Sequence, residues 1–195
     1  MIDPDIKDLA TFLEELNRET DRGLPLVGAA LIDDRLEDTL RSFFVEGRSA
    51  SKILDEANAP LGTFSSRAQA CYLLGLIDDF EFAEIALIRK VRNEFAHAKH
   101  GTSFKSEKVQ GLCSSLKSEL PVGAGYPTND PRFRFTNAVV CIVLRLYYRP
   151  KWVALERRPP KTWVSPDQSR WRSVENEKPP SGVPVLAMLR KHTKT

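Results

Sequence analysis

DFEFAEIALIRKVRNEFAHA, residues 79–98, is the stretch that decides how this chain folds. With Ile85 at zero and about 100° added per residue, Leu87, Val91, Phe95 and Ile88 fall at about 200, 240, 280 and 300°, a continuous apolar face. Arg89, Asn93 and His97 fall at about 40, 80 and 120°, and Arg92 at about 340°. The spacing therefore predicts an amphipathic helix over about Asp79 to Ala98, with a cation, an amide and an imidazole along one edge of its buried stripe. Asp78 or Asp79 can cap it by accepting from the free backbone N–H groups of the first turn.

The same period of three to four runs outward through residues 1–149 and leaves strands little support. A first helix is predicted from about Asp5 to Thr20, with Ile6, Leu9, Phe12, Leu13 and Leu16 on one stripe; Gly23 and Pro25 separate it from the next. Pro25 to about Glu46 makes a second helix, whose outer face carries Asp33, Asp34, Arg35, Glu37 and Asp38. A short helix over about Ser51 to Asn58 leads into the turn Ala59-Pro60-Leu61-Gly62-Thr63-Phe64-Ser65. Further helices follow from about Ser65 to Gly75, from Ser106 to Leu120, where Pro121 stops the chain, and from Asp130 to Tyr148. The last is apolar nearly all round, which suits the middle of a bundle or a subunit interface. The expected architecture is all-α, a bundle of six to seven helices.

Charge and composition divide the chain near Pro150. Residues 1–149 carry 19 Lys and Arg against 22 Asp and Glu, a net of −3, whereas residues 150–195 carry 10 against 4, a net of +6. More than half of the 13 prolines and all three tryptophans, Trp152, Trp163 and Trp171, lie in that second stretch. The predicted organisation is a helical domain over 1–149 and a basic Pro/Trp-rich extension over 150–195. Tryptophans interleaved with Lys151, Arg157, Arg158, Lys161, Arg170 and Arg172 could stack on bases and neutralise phosphates. Equally, the extension could lie along the helical body with its tryptophans in surface grooves and Val183 to Leu189 as a short final element.

Several function classes are excluded. The longest apolar run, Ala138 to Leu144, is far short of a membrane span, and Met1 is followed by an acidic amphipathic stretch rather than an export signal. The expected location is the cytoplasm. Cys71, Cys113 and Cys141 are odd in number and widely spaced among apolar or small neighbours, so buried thiols are expected rather than a bridge or a metal site. The acidic pairs Asp33-Asp34 and Asp78-Asp79 read as solvated faces or caps. Gly-rich phosphate loops, paired Cys or His ligands and a Gly-x-Ser-x-Gly elbow are missing, which removes hydride transfer and kinase chemistry; no cofactor or metal is expected.

The polar edge over 89–97 permits one chemistry. Arg92 offers a planar fork of donors to a phosphate, His97 can move a proton near neutral pH, and Asn93 can orient either. That set could cleave RNA without a metal. The structural alternative pairs Arg92 with Glu94 or Asp79, bonds Asn93 to a loop and leaves His97 capping the helix C-terminus. Were the helix to continue, His100 would join the edge.

Three segments carry a family resemblance. Ala59-Pro60-Leu61-Gly62-Thr63-Phe64-Ser65-Ser66-Arg67, Tyr72-Leu73-Leu74-Gly75-Leu76-Ile77 and Ile88-Arg89-Lys90-Val91-Arg92-Asn93-Glu94-Phe95-Ala96-His97 resemble the bacterial mannitol operon repressor family, most sharply over residues 59–110. The resemblance implies an all-helical cytoplasmic regulator of transcription that lowers operon expression through a protein partner rather than a helix-turn-helix. Arg92-Asn93-Glu94-Phe95-Ala96-His97 is also similar to the Arg-polar-x-x-x-His motif of HEPN domains, helical bundles that often dimerise. For the ribonucleases among them the likeness implies Arg92 on the scissile phosphate, His97 as proton donor or acceptor, and Asn93 orienting the 2'-hydroxyl or His97. Both resemblances lead to an expected homodimer built on the 79–98 or the 130–148 helix, because a twofold axis repeats one patch on both subunits. RNA or DNA could then reach the protein through the Arg92/His97 cleft or the basic extension.

Overall fold

The computed structural model describes residues 4–56, 58–98, 101–123 and 125–162, with the side chains of the first helix described from residue 11 onward. The described residues are all-α: α1 Pro4–Arg18, α2 Gly23–Phe43, α3 Arg48–Asp55, α4 Phe64–Leu73, α5 Asp79–His97, α6 Glu107–Ser114, α7 Pro131–Leu146 and α8 Arg149–Ala154. Seven match the expected helices; α8 is a six-residue addition. Residues 1–159 gather into one compact unit, and residues 160–162 fall outside it. Trp163, Trp171 and the Val183 to Leu189 segment lie outside the described residues.

The bundle is organised around α2, which packs against every other helix except α6. Leu24, Ile32, Leu36 and Leu40 recur at multiples of four and are all fully buried, a stripe that one helix can present to several neighbours. Gly28 lies in the same register and lets α7 close in: a Cβ placed there would stand 3.1 Å from both γ-methyls of Val139. The expectation that α7 runs through the core is met on one side. Phe135, Ala138, Val139, Ile142, Val143 and Leu146 are buried, while Leu144 is 52% exposed.

Helix ends follow local chemistry where the partners are close in sequence. Thr63 caps α4 reciprocally with Ser66, and Asp130 caps α7 ahead of Pro131 at its first position. Where the partners are remote, the sequence misleads. α6 stops at Ser114 rather than at Leu120, because Arg134 of α7 donates to the carbonyls of Cys113, Ser114 and Leu116 at 3.0, 3.3 and 2.8 Å. Glu84 of α5 meanwhile accepts from the N–H groups of Lys117 and Ser118 at 2.7 and 3.1 Å and from the Ser118 hydroxyl at 2.6 Å. These two side chains satisfy the groups that a further helical turn would have used.

Chain 150–159 likewise belongs to the helical unit. Pro150 sits in the first turn of α8, where its missing N–H costs nothing. Beyond it Arg157 donates from Nε to the Ser42 carbonyl at 2.7 Å and pairs with Glu46, holding this segment against the end of α2.

All three thiols are free; Cys71 and Cys113 are buried and Cys141 is half-buried. Burial pushes Cys71 and Cys113 up to about 12, outweighing Arg149 beside the first and Arg134 beside the second, and it also raises Cys141. In the unfolded chain the first two ionise near 9.0, so the stability they confer is complete below that pH and is lost as pH rises toward 12. Iodoacetamide at pH 8 is expected to label Cys141 first, with Cys71 and Cys113 reacting only once urea unfolds the chain; peptide mass spectrometry reads the order. Early labelling of Cys71 would contradict this packing.

Candidate functional site on helix α5

α5 is anchored at its start. Asp78 Oδ1 accepts from the Glu81 N–H at 2.7 Å, and Glu81 Oε2 accepts from the Asp78 N–H at 3.0 Å, a reciprocal capping box. Glu81 is wholly buried and its carboxylate also receives both ends of the Arg149 guanidinium, at 2.7 and 3.2 Å. Ile85, Ile88, Val91 and Phe95 are buried, as the periodicity requires, and Phe95 leads into an aromatic row with Phe104 and Phe135 at centroid distances of 5.0 and 5.8 Å. Phe104 sits in the loop before α6, outside any helical pattern, and so escaped the sequence reading.

The far half of the helix presents the expected polar edge. Lys90, Arg92 and His97 are exposed, and Arg89 and Asn93 half-buried. Arg92 Nη1 donates to Asn93 Oδ1 at 3.1 Å. The carboxylates that could have claimed Arg92 are taken elsewhere: Glu94 by Lys108 at 2.7 Å, and Asp79 by the Tyr72 hydroxyl at 2.8 Å. Arg22, just before α2, donates to the Ala98 carbonyl at 3.1 Å and so occupies the C-terminal end of α5.

The structure thus brings Arg92 and Asn93 together. His97 has no hydrogen bond or ion pair to either among the described residues, and a separation of five positions sets it about 140° around the helix from Arg92. Within one chain Arg92 and His97 are therefore not joined to each other among the described residues. His100 lies outside the described residues.

A second polar cluster joins α2 and α4. Arg67 of α4, with a side chain only 12% exposed, lies 3.0 Å from Asp33 and 2.7 Å from Glu37 of α2. It also donates to the Leu61 and Leu54 carbonyls at 3.0 and 3.5 Å. Asp33 is accordingly a half-buried partner of Arg67 and not a solvated charge, and burial raises its carboxyl above the ordinary 3.8 in spite of the guanidinium. Asp78 is a cap, as read. The described residues hold no group of three or more His, Cys, Asp or Glu side chains able to bind a metal, and no helix among them is long and apolar enough to cross a membrane.

No family model and no curated protein sequence matches the chain. Among solved structures the fold is similar to that of a chain in the X-ray structure of the MtlR-HPr complex from Escherichia coli, with a TM-score of 0.50 and 20% identity over 74% of this chain and 97% of that chain. At this identity the likeness is one of fold.

Proposed function

We propose that this protein is a non-enzymatic cytoplasmic regulator that, like the mannitol operon repressor it resembles, lowers transcription by holding a protein partner. What supports the reading is the likeness of its helical body to a chain solved in complex with HPr, extending over nearly the whole of that chain. A homodimer through the outward face of α7, where Leu144 is exposed, is part of the same proposal.

The test uses the full chain. Titration with HPr from Escherichia coli is expected to give saturable heat with a Kd on the order of micromolar, and sedimentation velocity to show a dimer alone and a larger species with HPr. Absence of any complex removes HPr as the partner. Total RNA incubated with the chain and a chelator should stay intact; cleavage that His97→Ala abolishes would replace the regulator with a metal-independent endoribonuclease using Arg92, Asn93 and His97 across a dimer interface.

A further inference from the structure

The helical body carries net negative charge, and its arginines are mostly spent on that charge. Arg41, Arg67, Arg132, Arg145 and Arg149 all reach carboxylates within 4.0 Å. On the far half of α5, among the described residues, Arg89 and Lys90 have no carboxylate or hydrogen-bond partner and Arg92 has only Asn93. Residues three and four apart are neighbours on a helix, so Ala86, Arg89, Lys90, Asn93 and His97 form one continuous outward strip with Arg92 at its edge. Arg22 and Lys108 add two more cations at its end, against the single carboxylate of Glu94. Unpaired cations gathered on one helix of an acidic body gain no folding energy from their grouping, since like charges at this spacing repel.

The strip has two further properties. It begins on Ala83, exposed, and Ala86, half-buried, whose short side chains leave the backbone approachable. Nor does it carry a Phe, Tyr or Trp ring for bases to stack on: Phe95 is buried, Phe80 and Phe82 are half-buried at the opposite end of α5, and the exposed rings of Tyr126 and Trp152 stand on other segments. Nucleic acid held without aromatic platforms is held by phosphate charge alone. A protein surface bearing Asp and Glu needs no platform, and the planar forks of Arg89 and Arg92 match carboxylates in pairs.

We infer that the strip Arg89–Lys90–Arg92–Asn93–His97 is the docking surface for an acidic face of a partner protein. The inference deepens the regulator reading and rests on it for the identity of the occupant. Encounter at such a surface is electrostatically steered and weakens with added salt.

The probe is labelled poly-L-glutamate, followed by fluorescence anisotropy with the full chain at low and at physiological salt. Lys90→Glu/Arg92→Glu reverses two exposed charges of the strip. Arg48→Glu/Lys52→Glu makes the same net change at exposed positions of α3 and controls for overall charge and for the basic extension. The expected result is binding that falls at least tenfold in the first variant and less than twofold in the second, with both melting like the parent. Equal losses in the two variants, or no binding to the parent, overturn the inference. So does tighter binding of a single-stranded oligouridylate that depends on the same two residues, because the surface would then be a nucleic-acid site. The regulator reading fails separately: a partner that binds Lys90→Glu/Arg92→Glu as well as the parent leaves the regulator standing and removes the strip, whereas a chain with no partner at all removes the regulator.

Discussion

Arg149→Ala is expected to lower the free energy of unfolding by about 3–5 kcal/mol, read from urea denaturation with an unchanged m-value. Arg149 is the main counter-charge of a carboxylate with no solvent of its own. Glu81 is fully buried, takes both guanidinium nitrogens, and closes the α5 capping box with one of the same oxygens. Arg149 also donates to the Leu76 carbonyl, so one side chain ties the start of α8 to the turn before α5. Removing it leaves a buried charge whose nearest substitute, Arg145 at 4.0 Å, is half-exposed and already near Asp78. The paired variant Glu81→Gln/Arg149→Met is expected to recover most of the loss, since a buried ion pair and an uncharged replacement of similar volume differ little in net stability. A single-variant cost below about 1 kcal/mol would place the pair among exposed surface bridges.

That pair also marks what could be read from the chain and what could not. Asp78 before an amphipathic run is a local signal, and the cap stands where the sequence predicts it; the structure adds Glu81, which closes the box from the third helical position. Glu81 and Arg149 are 68 positions apart, and no periodicity relates them. The early stop of α6 has the same origin: Val109, Leu112, Cys113 and Leu116 keep a helical spacing, but the chain turns because Glu84 and Arg134 take its backbone groups from two other helices. α8 has no amphipathic stripe long enough to show in the periodicity and begins around Pro150, where the composition changes, although a proline in the first turn of a helix breaks nothing.

On the candidate site, the exposure of Arg92 and His97 and the half-burial of Asn93 follow from the angle each takes around α5, which sequence alone supplies. The Arg92–Asn93 hydrogen bond and the detachment of His97 depend on which carboxylates are already engaged, and Lys108 and Tyr72 decide that from α6 and α4. The unpaired state of Arg89 and Lys90 is invisible for the same reason: it becomes apparent only when the partners of the other arginines are known.

Arg67 closes the segment Ala59 to Arg67, and its side chain ties α4 to α2 and to the Leu54 and Leu61 carbonyls. Arg67→Ala is expected to cost about 2–4 kcal/mol, because a side chain 12% exposed that meets two carboxylates and two carbonyls takes its donors from all four, and only Glu37 keeps another, from Arg41 at 2.7 Å. Arg67→Lys should recover less than half of this: an ammonium cannot span Asp33, Glu37 and the Leu61 carbonyl with fixed planar donors. The cost should also depend on pH. Burial already raises the Asp33 carboxyl above 3.8 in the parent, and loss of the guanidinium raises it further, so the folded variant holds its proton to higher pH than the unfolded chain does. Stability of Arg67→Ala therefore falls as pH rises through that raised range, and the difference from the parent is smaller near pH 4 than at pH 7. Thermal melts at the two pH values measure it; a difference that is constant with pH would mean that Arg67 acts through its carbonyl contacts alone. Poly-L-glutamate binding at physiological salt and 15 °C, where the variant remains folded, is expected to match the parent, because Arg67 and the α5 strip belong to separate clusters.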